Sequence, residues 1–254
     1  MVELERSGSV STVWLDFDDG NLINFERIQE IIEVHQKADA DPLTKVIVTR
    51  SKRKNVFCMG FDPQYIVDKS IDDRASIFKG ISLLIYNLLS LKRPHISVIE
   101  GPAMAGGAVL AILSDYRLFC SERAKFSFSE AKVGLALPSV LIDTIAAHIS
   151  PAWLREVACL GKNIDAKQGQ ICGVANWVSS PEGIEEKLAL ECSKIARLSP
   201  YVLEVNKKRI NKKLIKKAKK LIKSKKVFEP FMGDDLLGEG LSALIERRAP
   251  EFKK

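Results

Sequence analysis

Most of the residues by which a sequence declares its chemistry are scarce in this chain of 254. Five cysteines (Cys58, Cys120, Cys159, Cys172, Cys192) are scattered, odd in number and never in a C-x-x-C pair. That pattern excludes a disulfide framework and a zinc knuckle and reads as reduced thiols. Three histidines, His35, His95 and His148, stand far apart in apolar or helical settings, so neither a metal centre nor a histidine base is expected. Gly-x-Ser-x-Gly, P-loop and G-x-G-x-x-G fingerprints are absent, which argues against a serine hydrolase and against nucleoside-triphosphate chemistry. No apolar run approaches the ~20 residues that span a bilayer. The N-terminal MVELERSGSV has neither the basic nor the apolar region of a secretory signal. These absences predict a cytoplasmic protein with no membrane span and no bound metal.

What is present is 46% hydrophobic content, enough for a sizeable core, and a formal net charge of +7 that is unevenly placed. Residues 206–226, NKKRINKKLIKKAKKLIKSKK, hold the excess of lysine. Leu203, Ile210, Leu214, Leu221 and Ile222 recur there at helical spacing, which predicts an amphipathic helix with lysines on its wet side. The same cations would also suit a nucleic acid, an anionic membrane or a phosphorylated cofactor.

In chain order, residues 10–17 alternate as a strand, Asp18-Asp19-Gly20-Asn21 turns, and residues 25–38 carry apolar side chains at helical spacing until Asp41-Pro42. Residues 45–49, KVIVT, form a second strand, so the opening reads strand, helix, strand and predicts an α/β fold. VFCMGFDPQYI is a strand end passing through Gly60 to an Asp62-Pro63 helix start. Residues 74–91 read as a long helix and 95–100 as a buried strand. Beyond Pro138 the pattern is helical at 139–149, 151–160, 165–173 with Asp165 as cap, a short piece at 175–178, and 181–198. The expected division is a core at 1–195 and a helical C-terminal region at 196–254 that is not an independent domain.

The stretch from Ile99 to Pro138 concentrates what chemistry there is. A strand, the turn Gly101-Pro102 and the glycine-opened helix at Gly106-Gly107 would leave first-turn N–H groups free beside closely approachable backbone, a place for a negative oxygen. Glu130 follows among Phe126, Phe128 and Val133, and a carboxyl in apolar company acquires a raised pKa suited to moving protons near neutrality. Plain packing would account for either motif taken alone.

Together, FCMGFD, EGPAMAGGAVLAILSDYRLF and AKFSFSEAKVGLALP resemble the enoyl-CoA hydratase/isomerase (crotonase) superfamily. GKNIDAKQGQICGVANWV and EGLSALIERRAPEF extend the resemblance from about Val10 to Phe252, with the lysine tract its least family-like part. The resemblance implies a spiral of strand-strand-helix units with a helical C-terminal region that assembles homotrimers, often paired into hexamers. It implies an oxyanion hole of two backbone N–H groups, at Phe61 and Gly106, holding a thioester carbonyl. Gly60 belongs to the first of these turns, Met59 would lie near the adenine of coenzyme A, and Asp62 would cap the following helix. Glu130 would be the acid/base. Hydratases of the superfamily hold water between two glutamates, and the first of them matches Val109 here. AGGAVLAILSDYRL followed by LALPSVLIDTI looks closest to monofunctional 3,2-trans-enoyl-CoA isomerases, which also have an aliphatic residue where Val109 stands, and the resemblance implies that Val109 and Leu135 belong to the substrate site.

No separate cofactor is implied, coenzyme A being part of the substrate. The partner would be an acyl-CoA or acyl-carrier-protein thioester, and nucleic acid is not expected. The resemblance leaves two other readings open. One is a hydratase or dehydratase, including the polyketide-branching type on carrier protein, which the lysine-rich helix would suit; the other is an inactive binding protein of the same fold. Phe228 or Phe231 of a neighbouring subunit would complete the site.

Overall fold

A computed structural model describes residues 1–53, 55–67, 69–223 and 234–252. Strands β1 (Val2–Ser7) and β2 (Val10–Leu15) form an antiparallel hairpin turned at Gly8. Strand β1, not anticipated from the sequence, is a charged edge on which only Val2 is buried, so it lacks the alternation that marks β2. Helix α1 (Phe25–Ala40) starts at Asn24, whose side chain accepts from the N–H of Arg27, and ends at Asp41. The chain then enters β3 (Val46–Ser51), parallel to β2. Short helix α2 (Pro63–Val67) and long helix α3 (Ile71–Leu89) precede β4 (His95–Ile99), every residue of which is buried.

From here each circuit adds a strand to a large sheet and a short strand to a second one. After β4 come β5 (Pro102–Met104), α4 (Gly106–Ile112), β6 (Tyr116–Cys120) and β7 (Lys125–Ser127). Helices α5 (Ser139–His148) and α6 (Leu154–Ala158), strand β8 (Ile164–Asp165), helix α7 (Ala166–Cys172) and strand β9 (Trp177–Ser179) follow. The large sheet runs β1-β2-β3-β4-β6-β9, parallel except for β1, and the small one β5-β7-β8. This is the crotonase spiral. Its two-residue periodicity is plain: Val46, Val48, Ile96, Val98, Leu118 and Cys120 face α8 (Ile184–Ala196), whereas Ile47, Ile99 and Phe119 face the main core with α1 and α3.

Residues 175–178, expected as a helical piece, lead instead into β9, which pairs with β6 through Leu118, Phe119 and Cys120. Sheet pairing decides there what four residues of local pattern could not. The cap at Asp165 is present as a reciprocal capping box with Gln168, and Gly173 ends α7 at φ 92°.

A polar line crosses the core beside the sheet. His35 Nδ1–H donates to the carbonyl of Ile31 (2.7 Å), which fixes the tautomer, so Nε2 accepts from the Thr49 hydroxyl (2.7 Å). That hydroxyl accepts in turn from His95 Nε2–H (2.8 Å). Burial keeps both imidazoles neutral by holding their pKa values below the usual histidine range, that of His35 at about 4.

Helix α9 (Pro200–Lys223) packs on α3 and α5, and α10 (Asp234–Glu246) returns to α2 and to the turn that starts at Glu130. Among the described residues no helix is long and apolar enough to cross a membrane.

Candidate active site

Two strand-to-helix turns meet at the end of the spiral. In the first, Ile23 and Phe61 form an isolated parallel bridge: the N–H of Ile23 donates to Gly60 O (2.8 Å) and that of Asp62 to Ile23 O (3.3 Å). Such a bridge turns the N–H of Phe61 away from its neighbour strand, and it has no partner among the described residues. In the second, Ala105 takes a left-handed φ of 46° with its N–H on Ser127 O (2.8 Å), and α4 begins at Gly106. The first helical bond is from Val109 to Ala105 (2.9 Å), leaving the N–H of Gly106 without an intrahelical partner.

Glycine lets the turns touch. A Cβ on Gly60 would lie 3.0 Å from Gly106 N, and one on Gly107 would lie 2.0 Å from Cys58 O. The two free N–H groups thus belong to backbones in direct contact, the arrangement from which one oxygen could accept from both.

Glu130 reaches the same place from β7. Ser127 anchors that strand by donating to Gly161 O (2.9 Å), and Glu130 opens a single 3-10 turn, Glu130–Val133, whose carbonyl accepts from Leu135 (2.9 Å). The residue is 7% exposed and its Oε2 has no hydrogen-bond partner among the described residues. Burial pushes the carboxyl up to about 7, against a smaller opposing effect of its own backbone N–H. Phe126 and Phe128, expected beside the carboxyl, are instead packed edge to face in the core (centroids 5.2 Å apart) and hold the strand. Of that trio only Val133 lines the pocket.

The pocket has a volume of about 320 Å³. Met59 and Phe61 of the first turn line it, as do Ala105 and Gly106 of the second, Val109 of α4, and Glu130 with Leu135. Gly60 and Asp62 do not; Gly60 is buried behind the wall, and Asp62 Oδ1 accepts from the N–H of Gln64 (3.0 Å) at the start of α2. Sequence reading missed the remaining walls: Ile77, Phe78, Ile81 and Leu84 of α3, Leu237, Leu241 and Leu244 of α10, Leu22, Ile23, Pro63 and Ile66 around the first turn, and Ser129 next to Glu130. The apolar stripe of α3 was legible, but not what it faced. Phe228 and Phe231 lie outside the described residues. Among the described residues, Glu130 is the one ionisable side chain of the lining, and no cluster of three metal-ligating residues occurs.

A spiral with two converging turns and one buried carboxyl defines a class, and sequence comparison supplies the family. The model of the enoyl-CoA hydratase/isomerase family matches residues 5–254, and the chain belongs to that family. It is 27% identical to a carnitinyl-CoA dehydratase of Proteus mirabilis over 99% of this chain and 98% of that one. It is 25% identical to a probable enoyl-CoA hydratase of Mycobacterium leprae over 91% of this chain and 89% of that one. Among solved structures, human mitochondrial delta3-delta2-enoyl-CoA isomerase superposes with a TM-score of 0.87 at 19% identity, covering 97% of both chains. An enoyl-CoA hydratase from Bacillus halodurans gives 0.86 at 15%, covering 95% of this chain and 99% of that one. An isomerase and a hydratase fit equally well, so the fold does not choose between them.

Proposed function

We propose that this chain is an isomerase that moves the double bond of 3-enoyl-CoA thioesters to the 2-trans position through Glu130 alone. The observation that carries the reading is the single carboxyl: among the described residues Glu130 is the one acid or base of a lining whose other side chains are apolar except the Ser129 hydroxyl, and Val109, 4% exposed, stands beside it with no atom able to orient or deprotonate water. The N–H groups of Phe61 and Gly106 hold the thioester oxygen. As Glu130 takes a proton from C2, the C2–H electrons move into conjugation and the charge collects on that oxygen. Returning the proton at C4 shifts the double bond, with no water consumed. A carboxyl held at about 7 exchanges protons in both directions near neutral pH.

The competing reading is hydration or dehydration, favoured by the names of the relatives at 25–27% identity. One assay separates them. Purified protein is given 3-hexenoyl-CoA and, separately, 2-trans-hexenoyl-CoA, and products are followed by absorbance and mass. The isomerase reading requires conversion of the first and no gain of water by the second, with Glu130→Gln slower by on the order of 10²- to 10⁴-fold. No conversion of 3-hexenoyl-CoA, addition of water to 2-trans-hexenoyl-CoA by the wild type, or an unimpaired Glu130→Gln overturns it.

A further inference from the structure

We infer that the outward face of α9 is a binding surface for the phosphate backbone of duplex DNA, separate from the pocket. Ten lysines and arginines lie on this helix, and two are used inside the fold. Lys207, 9% exposed, donates to Asp115 Oδ2 (2.6 Å) and Arg93 O (2.8 Å), and Lys217 pairs with Asp143. The other eight, Lys208, Arg209, Lys212, Lys213, Lys216, Lys219, Lys220 and Lys223, are exposed and have no carboxylate partner among the described residues. At about 100° per residue they fill one arc of roughly 140°, and at about 1.5 Å per residue they extend over about 22 Å. Between Lys208 and Lys223 that arc itself carries no acidic, aromatic or apolar side chain: Leu214, Ala218 and Leu221 lie on the opposite side, and Ile210, 76% exposed, flanks the arc about 60° beyond its edge.

A merely solvated face looks different in this same protein. Lys37 on α1 pairs with Glu33, and Lys187 and Lys194 on α8 share Glu191. Helix α9 has a single acid, Glu204, one turn before the row, so like charges three and four apart repel along four turns without relief. Nothing in the packing requires this, since only the inward side touches α3 and α5. A polyanion is the partner that relieves it. Eight charges in about 22 Å is close to one per 3 Å, near the ~3.4 Å phosphate spacing of one strand, and a helix of 10–12 Å diameter fits a major groove of about 12 Å. The arc has no apolar side chain to enter a bilayer, and with seven lysines and one arginine it has nothing that reads bases. The contact is therefore to phosphates without sequence preference. Composition alone did not favour such a partner; the pairing pattern does.

The test is fluorescence anisotropy with a labelled 20-base-pair DNA duplex and an RNA duplex of the same sequence, titrated with the full chain from 50 to 200 mM salt. The DNA duplex should bind more tightly than the RNA duplex, whose A-form major groove is deep and narrow, with affinity for DNA falling on the order of 10⁴-fold across that range. The variant Lys212→Gln/Lys216→Gln/Lys219→Gln/Lys220→Gln, checked for an unchanged melting curve, should lower the salt slope by roughly 3 to 4 units. Its turnover of enoyl-CoA should equal that of the wild type, so this surface and the proposed activity stand or fall separately. Absence of binding to the DNA duplex, tighter binding to the RNA duplex, an unchanged slope in the variant, or retention on phosphatidylserine-containing vesicles with none on DNA overturns the inference.

Discussion

Gly240 of α10 rests on Val133, the last residue of the Glu130 turn, so closely that a Cβ there would fall 2.4 Å from the carbonyl carbon of Val133. Through this contact α10 brings Leu237 and Leu241, 2% and 4% exposed, into the pocket wall. Gly240→Ala should therefore lift the helix off the turn, cost about 1–3 kcal/mol of stability and admit water beside Glu130. The expected signature is a loss of at least roughly tenfold in kcat, with the Glu130 titration moving from about 7 toward the ordinary carboxylate range. A pH–rate profile with an unmoved acid limb would refute this coupling.

Glu130 itself should make the protein less stable as pH rises. Its carboxyl is raised from 4.5 to about 7 on folding, so the folded state holds the extra proton between those values and stability is lost as pH climbs through about 7. At about 1.4 kcal/mol per pH unit the loss amounts to roughly 3 kcal/mol by pH 8. Glu130→Gln, which does not titrate, should lie close to the wild type in urea at pH 5 and exceed it at pH 8; an unchanged difference between the two midpoints at both would contradict the burial argument.

Val109→Glu restores a second carboxyl to the pocket. Two buried carboxyls raise each other's pKa and the new one must be desolvated, so the variant should lose stability and isomerase rate. It should also gain a measurable, if slow, addition of water to 2-trans-hexenoyl-CoA. Isomerase rates equal to wild type would show that Val109 does not face the reacting atoms.

The polar line through His35, Thr49 and His95 predicts sensitivity to acid. Both histidines titrate below the ordinary value of 6.5 in the folded protein, so their contribution is complete above 6.5 and is lost as pH falls toward about 4. His35 alone accounts for about 3 kcal/mol over that window. Melting temperatures from pH 7 to pH 4 should fall steeply for the wild type and less for a His35→Gln variant. Parallel curves would mean that acid acts elsewhere.

The two glycine turns, the cap at Asp165 and the helix over Phe25 could be read from the chain because each rests on a local requirement: a free N–H, a side-chain oxygen three residues from its donor, a repeating apolar face. Strand β1 could not, since an edge strand with four exposed residues lacks an apolar face, and β9 depended on a partner sixty residues away. The pocket was legible in the same uneven way. Phe61, Gly106 and Glu130 carry motifs, whereas Ile77, Ile81 and Leu241 are ordinary members of amphipathic helices, and periodicity says that a face is covered without saying by what. Phe126 and Phe128 show the converse, being near Glu130 in sequence yet turned into the core.

The wall that α10 contributes has a consequence in time. Helix α10 lies more than a hundred residues beyond Glu130, so a growing chain completes the spiral and both glycine turns before the leucines that keep Glu130 dry exist. Until α10 docks, one wall of the pocket is missing, water can reach the carboxyl from that side, and the burial that raises its pKa is reduced. A nascent or C-terminally clipped chain would thus hold the reacting groups in place but not the acidity that suits them to exchange protons.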